Sequence, residues 1–199
     1  MRSKKFLTFF TIIILNIIIV ENSYSIQPDI FVQSTVNRAS QALNNKFSKE
    51  EKIQKLKDIA KETVDIRGIG FYTLGSYRKE LTKDQKKEYL ILFEKYFLKS
   101  FASRLAEYSN PEIEVNSKER LNENYTMVAS TLAATEQRPE VKIDWRIYTK
   151  DPENPLIRDL IIEGLSLART QKEEFSSIIQ SNDGNINELF NTLKEFIKN

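Results

Sequence analysis

From residue 29 onward the apolar positions recur every three or four residues, as one face of a helix requires. Val32, Val36, Ala39 and Leu43 predict a helix over 29–44. Ser48 with Glu51 three residues on is a capping-box signature. It opens a second helix whose apolar face is Ile53, Leu56, Ile59, Ala60 and Val64. The stretch DIRGIGFYTLG (65–75) reads as a short helix closed by Gly75, a residue type favoured just past a helix end. Thr82 with Gln85 repeats the capping signature and starts the longest helix, 83–108. Its stripe is Tyr89, Leu92, Phe93, Tyr96, Phe97, Phe101, Leu105 and Tyr108, most of them aromatic. A broad apolar stripe is the ordinary mark of a core helix. Large flat side chains can also line a cavity without collapsing into it.

After residue 111 the period changes to two. EIEV (112–115), YTMVASTLAAT (125–135), EVKIDWRIY (140–148) and LIRDLIIEG (156–164) read as strands joined by short turns. The third is the clearest: Val141, Ile143, Trp145 and Ile147 face one way, and Lys142, Asp144, Arg146 and Tyr148 the other. Asp151-Pro152 and Asn154-Pro155 punctuate the last connection. Glu163-Gly164 marks a junction where the last strand hands over to a helix, 166–181, with Phe175, Ile178 and Ile179 on its apolar side. Asn182-Asp183-Gly184 is a turn, and 186–197 is a final helix with Leu189, Phe190, Leu193 and Ile197. Helices before and after a run of strands, never alternating with them, predict an α+β fold. Its expected form is helices packed on one face of a four- to five-stranded antiparallel sheet, with an apolar cavity between them.

The first residues change the count. Arg2, Lys4 and Lys5 precede the fifteen-residue apolar run FLTFFTIIILNIIIV, and SYS (23–25) supplies small residues at the −3 and −1 positions. That is the pattern of a secretory signal cleaved after Ser25. An uncleaved anchor is the rival reading, but a span needs about 20 residues, and Asn16 interrupts the run. The expected organisation is therefore a signal peptide, 1–25, and a single domain, 26–199. Three of the 30 basic and one of the 28 acidic residues lie in the leader, so the remainder carries 27 of each and is neutral. A neutral chain without a basic cluster does not fit nucleic acid or a polybasic membrane clamp.

The chain has no cysteine and no histidine. Disulfides, Ser-His-Asp and Cys-His nucleophiles, and histidine-ligated zinc are thereby excluded. Enzyme chemistry would rest on carboxylates, with Asp144, Asp159 and Glu163 as candidates. Each has a plainer explanation. Asp144 lies on the wet face of its strand. Asp159, inside an apolar run, would pair with Arg146 or Arg158. Glu163 could cap the next helix. Gly68 and Gly70 form a GxG with no preceding strand and no third glycine, which is worth little as a nucleotide site. No catalytic residue, cofactor or metal is expected.

Two segments carry a family resemblance. LGSYRKELTKDQKKEYLILFEKYFLKSFASRL places Leu74, Gly75, Arg78, Thr82, Gln85, Tyr89, Phe93 and Phe101 at positions that match the MlaC (toluene-tolerance) family's loose LGxxWRxxTxxQRxxFxxxFxxxLxxxYA pattern. DLIIEGLSLARTQKEEF resembles that family's DVxVEGxSLxxxYRxxF through Asp159, Glu163, Gly164, Ser166, Leu167 and Phe175. The likeness covers nearly the whole chain after the leader, in the same element order. It departs at Asn154-Pro155-Leu156-Ile157-Arg158 before the aspartate, and at Gln171-Lys172 in place of Tyr-Arg.

The resemblance implies a monomeric periplasmic phospholipid carrier, not an enzyme. Such proteins shuttle lipid between an outer-membrane lipoprotein complex and an inner-membrane ABC transporter, a role in outer-membrane lipid asymmetry. A carrier must enclose both acyl chains. The wall expected here is Phe71, Leu74, Leu92, Phe93, Tyr96, Phe97 and Phe101 from the helices, with Val128, Leu132, Ile143, Trp145, Ile147 and Ile161 from the sheet. Each of these is equally compatible with plain core. Two readings of other classes stay open: a nuclear-transport-factor-like small-molecule-binding protein or carboxylate-dependent enzyme of the envelope, with a smaller pocket and converging acids, and an interaction module with an exposed apolar patch.

Overall fold

The computed structural model describes residues 25–136 and 138–199; the leader read from the sequence, apart from Ser25, lies outside the described residues. Four helices come first: α1 (Pro28–Ala42), α2 (Lys49–Thr63), α3 (Ile66–Thr73) and α4 (Lys83–Leu105), with a 3-10 turn over Gly75–Lys79. A sheet follows, made of β1 (Ile113–Arg120), β2 (Tyr125–Leu132), β3 (Val141–Tyr148), β4 (Leu156–Ile162) and β5 (Leu165–Ser166). The chain ends in α5 (Leu167–Gln180) and α6 (Ile186–Lys198). The fold is α+β, as the order of periodicities requires.

The helix starts are the ones the capping residues announce. Ser48 and Glu51 exchange side-chain-to-backbone bonds, as do Thr82 and Gln85. Asp65 caps α3 by accepting from Gly68 N–H at 2.7 Å. Gly75 follows the α3 C-cap at φ +56°, a left-handed conformation that disfavours any residue with a Cβ.

The sheet is a meander in the order β1-β2-β3-β4-β5, antiparallel throughout. On β2 the buried positions alternate (Thr126, Val128, Ser130, Leu132), and they pair with the buried positions of β3. β1 runs longer than the short strand expected at 112–115. Its second half, NSKER, is exposed. An edge strand that leaves the core has no apolar alternation to betray it. Lys118 of that half instead reaches back to α1, 2.8 Å from Asp29 and 2.9 Å from Gln27.

The second difference is at Glu163-Gly164. These residues have φ of +49° and +82°, the signature of a tight type I′ hairpin turn. They join β4 to the two-residue β5, so the last strand folds back on itself before α5 begins. The extra strand is too short to show a period.

The helices do not approach the sheet equally. α1 lies on β1 and β2, while α3 and α5 lie on β4. α4 packs chiefly on α2, α3 and α6. Between α4 and the middle of the sheet the space is spanned by side chains, and that layer is where the candidate site lies.

Candidate functional site

The aromatic stripe of α4 is continuous. Phe93 sits at its centre, with ring centroids 5.8 Å from Tyr89, 6.4 Å from Tyr96, 6.1 Å from Phe97 and 6.2 Å from Phe175 of α5, the last edge-on. Phe97 stacks on Phe101 at 5.4 Å with planes 9° apart. α6 adds Phe190 against Tyr89 and Phe196 against Tyr96. Offset and edge-on arrangements of this kind contribute beyond the area they bury.

The layer has a tight end and a loose end. Leu74, Leu92, Phe93, Val128, Leu132, Ile143, Trp145 and Ile147 are buried in one cluster. Phe71, Tyr96, Phe97 and Phe101 are only half-buried against it. At the tight end a Cβ built on Gly70 would lie 2.8 Å from the Phe93 ring, so only glycine lets α3 approach α4 this closely. There Tyr89 Oη and Thr73 Oγ1 are 2.8 Å apart, and Thr73 also donates to Gly70 O. Burial pushes the Tyr89 phenol well above its ordinary value, against the pull of the Thr73 hydrogen bond. The one indole is fixed as well: Trp145 Nε1 donates to Ser130 Oγ at 2.8 Å, and Ser130 donates to Ile143 O.

One expected wall residue is on the other face. Ile161 pairs with Asp144, whereas Leu160 and Ile162 pair with Trp145 and Ile143 and share their face. The cause is a bulge. Arg146 pairs with Asp159 but Ile147 with Ile157, so Arg158 is an extra residue that reverses the parity of β4. In LIRDLII apolar residues stand at both parities, and alternation could not reveal the shift.

The wall residues on the core side are packed on one another, with ring centroids at contact spacing. Two open clefts of about 420 and 400 Å³ lie elsewhere, one beside Tyr72, Arg169 and Lys172, the other between α1 and the start of β1. Neither is lined by a wall residue.

Residues 33–195 match the family described as MlaC protein. The chain belongs to the MlaC family. Its fold is also that of a phospholipid-binding protein from Ralstonia solanacearum whose structure was solved in complex with a phospholipid. The two superpose with a TM-score of 0.73 over 87% of this chain and 98% of that one, at 19% sequence identity.

In this MlaC-family chain the DLIIEGLS segment is structural. Asp159, 3% exposed, accepts from Ser166 Oγ at 2.6 Å and from Ala168 N–H at 3.0 Å, with Arg146 Nη1 at 3.4 Å. Ser166 in turn accepts from Arg169 N–H and caps α5. Orphan donors of the first helical turn are thus satisfied from the sheet. Glu163 accepts from Lys142 N–H at 2.5 Å across the hairpin instead of capping the helix. Arg158 pairs with Asp65, not with Asp159. A Cβ on Gly68 would strike that pair at 2.6–2.7 Å, so the GxG serves packing at both of its glycines.

At the second departure from the family pattern, Gln171 turns toward α4 and Lys172 toward the open cleft beside Tyr72. Gln171 Oε1 accepts from the Tyr96 hydroxyl at 2.8 Å, while its amide donates to Glu174. Lys172 Nζ lies 5.4 Å from the centroid of the Tyr72 ring. Gln171 was not among the expected wall residues; its break with the family pattern was the one signal that singled it out.

Proposed function

We propose that this protein is a periplasmic phospholipid-binding carrier, the soluble component of an ABC-type lipid transport system that moves lipid between the outer and inner membranes. The observation that carries this reading is the aromatic layer between α4 and the sheet, half-buried at one end, in a chain of the MlaC family. The phospholipid bound by the Ralstonia protein of the same fold supports it. So do the neutral charge after the leader and the absence of histidine and cysteine. The leader supports export. The inner-membrane transporter and the outer-membrane lipoprotein complex are the partners such a role requires, and a monomer suffices for it.

The energetics favour enclosure. Burying hydrocarbon is worth about 0.8 kcal/mol per methylene, so two chains of roughly 30 methylenes together represent about 24 kcal/mol. Nothing of that size stays in the aqueous space between two membranes unless a protein covers it. Half-buried Phe97 and Phe101 are where the layer is easiest for a lipid to enter.

The carboxylate-enzyme reading is weakened by the acids themselves. Asp159 and Glu163 are each committed to hydrogen bonds that hold the hairpin and α5. We read the protein as a binder, not a catalyst. Native mass spectrometry and lipid extraction of the chain purified from bacteria test this. Stoichiometric phospholipid is the expected result, and lipid-free protein that takes none up from vesicles overturns it.

A further inference from the structure

The polar links of α4 show how such a layer would part. At its start Tyr89 is joined to Thr73 of α3, and Glu88 to Lys194 of α6 at 2.7 Å. Further along, Lys99 Nζ holds the last carbonyls of α6, Phe196 O at 3.1 Å and Ile197 O at 3.2 Å. α6 is thus tied to α4 by polar links, while it also packs on α5. α3 and α5 belong to the sheet. Asp65 N–H donates to Ile157 O and its carboxylate pairs with Arg158, while Asp159 holds the first turn of α5. Beside the contacts of Phe93 and Tyr96 with the Phe175 ring, a hydrogen bond from Tyr96 to Gln171 links α4 to sheet-bound α5.

Tyr96 lies two turns, roughly 10 Å, along α4 from Tyr89. Tyr89 is buried and bonded to Thr73, one turn before Phe93, which makes the close contact with Gly70. Tyr96 is half-buried and wedged between Phe175 of α5 (5.7 Å) and Phe196 of α6 (4.8 Å). Phe196 is 40% exposed, and Leu167, one turn before Gln171 on the same side of α5, is 39% exposed. A hydrogen bond thus sits within an apolar rim at the point where the α4–α6 pair meets the sheet-bound helices.

We propose that the Tyr96–Gln171 pair is the clasp whose opening admits and releases the acyl chains, with α4 turning on its contact with α3 at Gly70 and Tyr89. This rests on the carrier reading. Breaking this bond loosens the side of α4 that faces α5 and leaves in place its buried packing on α2, through Ala102 and Leu56, and its bond to Thr73 of α3. The pair is a positioning device that sets the rate of exchange and leaves the binding surface intact.

Tyr96→Phe keeps the ring contacts and removes the hydroxyl. Gln171→Met removes the acceptor from the other side. Each variant, loaded with a fluorescent phospholipid, is mixed with acceptor vesicles of unlabelled phosphatidylethanolamine and phosphatidylglycerol. Release is expected to be roughly five- to tenfold faster than from the parent protein, the factor that one hydrogen bond represents. The double variant should be no faster than either single one, because both remove the same bond. Lipid content after purification should be unchanged in Gln171→Met, whose residue is outside the expected wall. Unchanged release in the single variants, or a double variant whose acceleration is the product of the two, overturns the proposal. Hydrogen exchange on lipid-free protein separates this failure from failure of the carrier reading. Amides of α5 should exchange faster in Tyr96→Phe while those of α1 do not, and equal exchange overturns the clasp whether or not the protein carries lipid.

Discussion

The hairpin-to-helix segment, Asp159 to Arg169, and the aromatic stripe of α4 are held by opposite kinds of force. In the first, buried polar atoms have named partners: a carboxylate takes a hydroxyl, an amide and a guanidinium, and the hydroxyl caps the helix. Directional bonds allow one geometry, and leaving one partner alone in a buried place is costly. In the second, rings meet at 5.4–6.4 Å in stacked, tilted and edge-on poses. Such contacts are non-directional, and rings can slide past one another or past a methylene chain at little cost. The segment that carries the candidate carboxylates Asp159 and Glu163 is therefore a hydrogen-bonded frame, and the segment proposed to take the lipid is the one held by apolar contacts.

The sharpest test of that contrast lies within the stripe. Phe93→Ala should cost about 4 kcal/mol, the usual loss for a fully buried phenylalanine. Phe101→Ala, half-buried, should cost about 1–2 kcal/mol in proportion to the smaller area it buries. Urea denaturation of both variants measures the gap, and equal losses would remove the distinction between a tight and a loose end. Asp159→Ala should cost about 3 kcal/mol, because it strands the Ser166 hydroxyl, the Ala168 amide and one face of Arg146. The same denaturation experiment reads it, and a loss under 1 kcal/mol would mean the frame is not held as described. Gly164→Ala should cost about 1 kcal/mol from its left-handed backbone alone, since no atom lies within 4 Å of the added methyl.

The smallest effect is a pH dependence. The Tyr89 phenol is raised above its ordinary value of about 10. Burying it neutral therefore favours the native state below that pH, and the advantage fades as pH rises and the unfolded chain ionises first. Tyr89→Phe should remove this component. Thermal midpoints from pH 8 to pH 11 should fall less steeply in the variant, and parallel curves would show that Tyr89 is not the group responsible.

Much of this was legible along the chain. The capping pairs Ser48–Glu51 and Thr82–Gln85 give their helices the starts expected of them, because a cap is a local bond between residues three apart. The core face of β3 follows from strict alternation. That Asp159 would pair with Arg146 or Arg158 was foreseeable, since a buried carboxylate requires a partner; that it is Arg146 was decided by the sheet register. The parity of β4 was not legible. It turns on a one-residue bulge at Arg158, which the pairing with β3 sets, and Ile161 changes face as a result. Nor was the type I′ hairpin legible, because β5 has two residues and no period.

The amino-acid order by itself determined the order of helices and strands, where most of the helices begin, the absence of thiol and imidazole chemistry, and which side chains are apolar enough to form the layer. These are properties of neighbours within a few residues, or of composition. Only the tertiary structure decided that α4 stands off from the sheet and that Tyr96 meets Gln171 across 75 positions of chain. Those outcomes depend on how far apart whole elements settle once their side chains compete for the same space, and no local pattern carries that distance.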